Sequence, residues 1–145
     1  MLRGNCPAKI DEKGRLKIPQ AFRQLIEREW GRELFVTSVN GDHVRIYPMP
    51  AWERLEKQLG GGPWDPATKR FFKAVNYYGQ TAELDNQGRV LIHPHLREKA
   101  GTLGEVDVLG EVDHLAVWNH ERLEADVAAN PVTEADEFAL AQKRA

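Results

Sequence analysis

The sequence predicts an α+β fold in which two copies of a small strand–helix–hairpin–helix unit form one compact subunit. The first observation is internal repetition: at an offset of 74 residues, the segment that begins at Asp11 matches the segment that begins at Asp85. The second is that each segment is followed by residues that alternate between apolar and polar, a pattern typical of half-buried strands. Because a half of about 70 residues buries little core alone, we expect the halves to pack on each other or on a partner chain.

The repeat is clearest in the turn Asp-x-x-Gly-Arg that opens each unit. The matched residues are Asp11 and Asp85, Gly14 and Gly88, Arg15 and Arg89, Ile18 and Ile92, and Arg23 and Arg97. An Asp side chain can accept hydrogen bonds from backbone N–H groups two or three residues later, and Gly permits positive φ. The pattern therefore predicts a tight turn that holds an arginine at the start of a strand.

A helix, a hairpin and a short helix follow the first turn. The first helix is predicted to start at Pro19, because proline suits the first helical turn. The apolar strand 34–39 ends at Asn40-Gly41, a strong hairpin signal. A strand at 43–47 and a short helix at 52–55 complete the unit.

The second unit repeats this order. Its helix begins at Pro94 and can end at Gly101. Strands at 106–109 and 114–118 precede a short helix at 121–123.

Glycines separate the two units, and an acidic segment ends the chain. Gly60-Gly61-Gly62-Pro63 interrupts the pattern before a linking helix from Pro66 to about Tyr78. A last helix is expected after Asn130-Pro131, with Thr133 and Asp136 near capping-box spacing. The sequence thus divides into domain 1 at 5–49, linking helices at 50–78, domain 2 at 79–122 and an acidic helical tail at 123–145.

Composition favours a cytoplasmic protein without disulfides. Hydrophobic residues make up 41% of the chain and charged residues 29%, as in ordinary globular proteins. No apolar run approaches the roughly 20 residues of a membrane span, and residues 1–6 lack the features of a signal peptide. Cys6 is the single cysteine, so no internal disulfide can form.

Charge is unevenly distributed along the chain. The net charge of −2 does not suggest a nucleic-acid partner, but residues 1–73 carry +5 and residues 74–145 carry −7. Such a chain can present a basic face to phosphates while its other end stays acidic. Chance variation of surface charge explains the asymmetry equally well, so charge alone does not decide the function.

A basic stripe distinguishes the first copy of the motif. Lys13, Arg15 and Lys17 alternate, so an extended segment places them on one face, with Leu16 and Ile18 toward the core. Arg3 and Lys9 are close in sequence. The second copy offers only Arg89, which predicts weaker anion binding there. Arginine matches phosphate, carboxylate or the O6/N7 edge of guanine, although each Asp–Arg pair could serve only to hold its turn.

These motifs together resemble the MraZ family from residue 1 to about residue 125. The resemblance is carried by Met1-Leu2-Arg3-Gly4, Asp11-x-Lys13-Gly14-Arg15-Leu16-x-Ile18-Pro19, Arg23, Tyr47-Pro48, Trp52-Glu53, Asp85-x-x-Gly88-Arg89 and Trp118. It implies two tandem SpoVT/AbrB-type units related to swapped-hairpin DNA-binding folds. It also implies a cytoplasmic, nucleoid-associated repressor of the division and cell-wall gene cluster that includes its own gene.

The resemblance further implies a partner and an assembly. The partner is double-stranded DNA, read at short direct repeats by a ring-like homo-oligomer. Arg15 and Arg89 are the matching arginines, and Asp11 and Asp85 the matching acids. From the residues themselves we expect no enzyme activity, cofactor, metal, membrane association or small-molecule effector. Glu12 departs from a purely basic first motif, and His93 replaces the proline of the first copy.

Two other functions remain open at this stage. His93-Pro94-His95 could suggest a metal enzyme. However, no Glu or His follows at the spacing that metal ligands have on a helix, and a proline between two histidines suits a turn. The chain could instead be a scaffold for proteins or RNA, with structural Asp–Arg pairs. The basic edge carries no aromatic residue for stacking on single strands, which disfavours RNA.

Overall fold

The computed structural model describes residues 1–145 as eight strands and six helices. The strands are β1 (Leu2–Ile10), β2 (Arg15–Lys17), β3 (Glu33–Thr37), β4 (Val44–Pro48), β5 (Gln80–Glu83), β6 (Arg89–Leu91), β7 (Gly104–Val112) and β8 (Leu115–Asn119). The helices are α1 (Gln20–Glu29), α2 (Met49–Gly60), α3 (Pro66–Tyr78), α4 (Pro94–Ala100), α5 (His120–Ala129) and α6 (Glu134–Arg144). The α+β class expected from the sequence is confirmed.

All eight strands form one antiparallel, nearly closed sheet in which the two halves of the chain alternate. The strand order is β5-β3-β4-β8-β7-β1-β2-β6. β1 of the first half pairs with β7 of the second over nine residue pairs, from Leu2 opposite Val112 to Ile10 opposite Gly104. β5 pairs with β3, β4 with β8, and β2 with β6. Each half therefore completes the sheet of the other.

The main core fills the interior of this sheet. Leu16 and Val90, which lie opposite each other on β2 and β6, are almost fully buried. Phe22 and Ile26 of α1 and Leu96 of α4 join the same cluster. Both halves therefore contribute to this main apolar cluster.

A second, smaller cluster lies on the outer face of β3 and β4. Phe35 and Tyr47 of the strands pack against Trp52 of α2 and Val75 of α3. The Phe35 and Trp52 rings stack with their centroids 4.6 Å apart. α2 and α3 therefore cover this face of the sheet.

Two parts of the sequence-based description are confirmed and two need correction. α3 spans Pro66–Tyr78 as expected, and α6 begins with a capping box between Thr133 and Asp136. α1, however, begins at Gln20, and Pro19 is its N-cap rather than its first helical residue. Strands β1 and β5 were not predicted, although β1 is as long as β7, the other nine-residue strand. None of the six helices combines the length and the apolar character that a membrane crossing needs.

The β7–β8 turn contains a strained valine. Val112 has a φ of 71°, the only positive φ outside glycine. Gly41, with a φ of 80°, stands at the same point of the first hairpin, before Asp42-His43 as Val112 precedes Asp113-His114. The second hairpin therefore carries a β-branched side chain in a conformation that favours glycine.

Val112→Gly should raise the free energy of unfolding by about 0.5–1 kcal/mol. Relief of a left-handed conformation contributes about 1–2 kcal/mol, and the greater chain entropy of glycine offsets about 0.5–1 kcal/mol of that gain. Urea unfolding would measure the difference. The matched control is Val127→Gly in α5, an exposed helical site that should lose roughly 0.3 kcal/mol, the difference between the helix propensities of valine and glycine. Equal losses at the two positions would contradict strain at Val112.

Candidate nucleic-acid interface

The first Asp-x-x-Gly-Arg motif forms a closed turn. The Asp11 side chain accepts hydrogen bonds from the backbone N–H groups of Lys13, at 3.0 Å, and Arg15, at 2.9 Å. Gly14 has a φ of 85° and donates its N–H to the Asp11 carbonyl. Asp11 also accepts a hydrogen bond from Nε of Arg15 at 2.8 Å. The turn therefore sets the direction of the arginine side chain.

The second motif has the same geometry. The Asp85 carboxylate accepts from the N–H groups of Gln87, at 2.8 Å, and Arg89, at 2.9 Å. It also accepts from Nε of Arg89 at 2.9 Å. Gly88 has a φ of 74°. The two motifs are thus equivalent in hydrogen bonding, as the matching sequences predict.

Both arginines keep donors free for a ligand. The ion pairs of Arg15 and Arg89 engage Nε alone, and no protein acceptor is hydrogen-bonded to the terminal nitrogens of either guanidinium. About a third of the Arg15 side chain and a quarter of the Arg89 side chain are exposed. The Asp–Arg pair, which could have been purely structural, therefore also orients a partly open guanidinium fork.

Strands β2 and β6 bring these residues onto one surface. In the register of the ribbon, Arg15 lies opposite Leu91 and Lys17 opposite Arg89. Alternate residues of a strand share a face, and Leu16 and Val90 between them are buried, so the other face of the ribbon is directed outward. The β2–β6 ribbon thus presents Arg15, Lys17 and Arg89 side by side.

Each turn is covered by an arginine from the other half. The guanidinium of Arg97 in α4 lies against Gly14, where a Cβ would be 2.5 Å from its Nε. Arg23 of α1 covers Gly88 in the same way and donates to the Asn86 carbonyl at 3.1 Å. Backbone bonds cross as well: Ile18 donates to Gly88 and Ile92 to Gly14, both at 2.9 Å. Neither turn can keep this environment without the other half.

The covering arginines make the two ends of the ribbon electrostatically unequal. Arg23 is paired with Glu27 at 3.0 Å. Arg97 has no carboxylate partner and bonds only to the Ile92 carbonyl, at 2.8 Å. The first turn, which contains Lys13, thus has an unpaired arginine beside it, whereas the arginine beside the second turn is paired. Arg97 was not assigned to the site from the sequence, although its match to Arg23 at the repeat offset was visible there.

Not every predicted site residue joins this surface. Lys13, in the first turn, and Lys17, on β2, are exposed beside Arg15. Arg3 lies opposite Glu111 near the far end of β1, seven residues before Ile10, the residue of β1 that pairs with β2. At about 3.3 Å per residue this is roughly 23 Å along the strand. The ribbon surface therefore comprises Lys13, Arg15, Lys17, Arg89 and Arg97, without Arg3.

The turns lower the pKa of both motif aspartates. For Asp85 the backbone N–H of Arg89 is the main cause, and the Arg89 side chain and the Gln87 N–H add to it, so the pKa falls from 3.8 to about 2. For Asp11 the backbone N–H of Arg15 is likewise the main cause of a lowered pKa. Both carboxylates are therefore charged in the folded protein over the whole neutral range.

Asp85→Asn should remove an acid-dependent part of the stability. Because the folded pKa lies below the unfolded one, ionised Asp85 stabilises the fold above about pH 4, and this contribution disappears as the pH falls through about 2. Urea unfolding between pH 5 and pH 2 would measure it. The difference in unfolding free energy between parent and variant should narrow toward pH 2. A difference that stays constant across this range would exclude the assigned role of the carboxylate.

Comparisons with known proteins identify close relatives of the whole chain. The family model described as "MraZ protein, putative antitoxin-like" matches residues 1–74 and 79–143. A protein of Acidobacterium capsulatum named transcriptional regulator MraZ is 46% identical over 143 residues, covering 98% of both chains. Proteins with the same name from Koribacter versatilis and Escherichia coli are 45% and 29% identical over 142 residues each, and the alignments cover 97% and 93% of their lengths.

Proposed function

The chain belongs to the MraZ family, whose named relatives are transcriptional regulators, and we propose that it is itself a repressor that binds double-stranded DNA through the β2–β6 ribbon. The observation that carries the proposal is the pair of guanidinium groups held by aspartate at Nε, with free terminal nitrogens, on a two-stranded ribbon. A two-stranded β-ribbon can enter the major groove of B-DNA.

The ribbon residues divide by chemistry. Arg15 and Arg89 have oriented forks that can bind bidentately to a guanine edge or a phosphate. Lys13, Lys17 and Arg97 supply unpaired positive charge that suits the phosphate backbone. We assign the stronger contact to Arg15, because the first turn contains Lys13 and lies against the unpaired Arg97, whereas Arg23 beside the second turn is paired with Glu27.

The fold and the assembly form part of the same proposal. Each unit is of the SpoVT/AbrB type. Domain 1 spans 5–49 and domain 2 spans 79–122, with linking helices between them and a tail from 123. The two matching turns, and the pairing of β1 with β7 and of β5 with β3, support two equivalent units. Copies of the chain form a ring, and the ring is cytoplasmic and nucleoid-associated. One chain has few cations on its ribbon and would bind DNA weakly. In a ring, several chains bind adjacent repeats, and the gain in effective concentration raises the overall affinity.

A footprint on the DNA upstream of its own gene tests the proposal. Protection should cover short direct repeats preceding the division and cell-wall gene cluster. The affinity for this DNA should fall steeply as the salt concentration rises, and the slope should increase with the number of chains bound. A scrambled sequence of equal length and composition is the control. Equal binding to both DNAs would contradict sequence-specific regulation by this chain.

A further inference from the structure

The pairing of β4 with β8 is a short junction between the hairpins of the two halves. β4 and β8 pair from Val44 opposite Val117 to Ile46 opposite Leu115. The other strands of the two hairpins, β3 and β7, do not pair with each other. By comparison, β1 and β7 pair along their whole length, from Leu2 to Ile10 of β1. The β4–β8 junction therefore depends on the side chains at its two ends.

At each end of this junction, a histidine stacks on an aromatic ring of the other half. The centroids of the His43 and Trp118 rings are 4.2 Å apart, with 7° between the ring planes. The centroids of the His114 and Tyr47 rings are 4.5 Å apart, with 17° between the planes. Both histidine side chains are largely buried, with 11% of His43 and 15% of His114 exposed. The two stacks are counterparts, since each histidine follows the aspartate at the tip of its hairpin.

Two carboxylates hold the His114 ring. Its Nδ1 lies 2.9 Å from Oδ1 of Asp113, and its Nε2 lies 3.1 Å from Oε2 of Glu111. A neutral imidazole has one N–H donor, so only the protonated ring can donate to both carboxylates. Burial lowers the pKa of His114, but the hydrogen bonds to Glu111 and Asp113 outweigh burial and raise this pKa above its ordinary value. Geometry and charge thus favour a protonated His114.

The His43 ring has different neighbours. Its Nδ1 lies 3.0 Å from Oδ1 of Asp42, a contact that a neutral ring can make with its single N–H. No second carboxylate is hydrogen-bonded to this ring. Burial is the main cause of a lowered pKa of His43, and the nearby Arg45 adds to it, while Asp42 and Glu111 only partly oppose it. His43 is therefore neutral at a pH at which His114 is charged.

The difference between the two tips originates in two positions of the repeat. Glu111 stands where the first hairpin has Asn40, and Ala116 stands where it has Arg45. The Tyr47 hydroxyl lies 3.4 Å from Nη1 of Arg45, and burial raises the pKa of this phenol, so the phenol stays neutral near pH 7. Two further charged groups lie near the tips: Arg3 of β1, opposite Glu111, and Lys99 of α4, whose side chain lies against Gly41.

We propose that these two stacks form a pH-sensitive latch between the halves of the chain, closed when the His114 ring is charged and the His43 ring is neutral. The latch comprises His43, Tyr47, His114 and Trp118. Both Asp-x-x-Gly-Arg turns require the two halves to be joined, so the latch makes that joining responsive to pH near neutrality. The proposal concerns a single chain and does not depend on the DNA contact or on the ring.

The two histidines stabilise the latch in different pH ranges. The folded pKa of His114 lies above the unfolded value, so its contribution is present below about pH 6.5 and is lost as the pH rises through the folded pKa. The folded pKa of His43 lies below the unfolded value, so its contribution is present above about pH 6.5 and is lost as the pH falls through the folded pKa. The latch is therefore most stable between the two folded pKa values.

Urea unfolding of the full chain between pH 5 and pH 8.5 tests the latch. His114→Gln should raise the unfolding equilibrium constant over that of the parent by a factor that is larger at pH 5 than at pH 8.5. His43→Gln is the matched control, and its factor should be larger at pH 8.5. Each factor should change by about threefold or more, since a pKa difference of 1 corresponds to a tenfold change. Factors that are independent of pH, or that change in the same direction, would overturn the proposal.

A second variant gives an answer even where His114→Gln fails to fold. Glu111→Asn gives the second tip the residue of the first, and Glu111 is exposed, so the fold should persist. NMR signals of the imidazole nitrogens would follow the titration of each ring. In the parent, the midpoint of His114 should lie above that of His43, and Glu111→Asn should move the His114 midpoint to lower pH. Glu105→Asn, which removes an exposed carboxylate from the same strand, should leave it in place. The reverse order of midpoints, or equal effects of the two variants, would refute the latch.

Discussion

Arg15→Ala should lower the affinity for repeat-containing DNA by about 100-fold or more at moderate salt, with the oligomer unchanged. One good bidentate contact contributes about 1–3 kcal/mol, and the loss recurs in every chain of a ring bound to adjacent repeats. The fold should persist, because the Arg15–Asp11 pair is a partly exposed ion pair of small energetic weight. Mobility-shift titration and native mass measurement would record both results.

The matched control is Arg89→Ala, which removes the equivalent arginine from the second turn. Its effect on affinity should be clearly smaller, since Arg23 beside that turn is neutralised by Glu27 while Arg97 beside the first turn is unpaired. Arg15→Lys should recover part of the salt-dependent binding but not the preference for the repeats. Retention of specific binding by Arg15→Ala would refute the role assigned to Arg15, and equal losses at the two sites would refute the asymmetry.

Gly110→Ala should destabilise the fold by about 3 kcal/mol, at the upper end of the usual cost of overpacking. Gly110 lies opposite Gly4 in the β1–β7 pair. A Cβ there would overlap the backbone nitrogen of Arg3 and lie 2.6 Å from the Leu2 carbonyl carbon. These are backbone atoms of a paired strand, so they cannot move aside without loss of the pairing.

Chemical unfolding would measure this effect against Gly62→Ala. Gly62 is exposed, and the nearest atom to an added Cβ is the Leu59 carbonyl oxygen at 3.9 Å. The control variant should therefore unfold within about 0.5 kcal/mol of the parent protein. An equally small effect at Gly110 would show that β1 and β7 do not approach as closely as described.

The two turns could be predicted because their hydrogen bonds join residues close in sequence. Strands that form by pairing with distant segments could not be predicted in this way. The hydrogen bonds of Asp11 and Asp85 reach only two to four residues, so the sequence motif contains all of their partners. β1 contains Gly4, Asn5 and Pro7, which disfavour strands, and it is extended because β7, about 100 residues later, pairs with it.

The same distinction explains why Arg3 lies away from the other predicted site residues and why Arg97 lies among them. Arg3 is close to the first motif in sequence, but the extended course of β1 carries it away from the ribbon. Arg97 is far in sequence, and the crossing of the halves brings it against Gly14. Proximity along the chain is therefore a good guide within a turn and a poor one beyond it.

The alternation of halves in one sheet also determines when the protein can fold during its synthesis. When β1 leaves the ribosome, its partner β7 has not yet been made; at about 5–20 residues per second, roughly 100 further residues take about 5–20 s. β2 and β4 likewise wait for β6 and β8. The nascent first half therefore presents unpaired strand edges throughout this interval. The arginine fork at residue 15 acquires its final surroundings only after Leu91 and Arg97 have emerged.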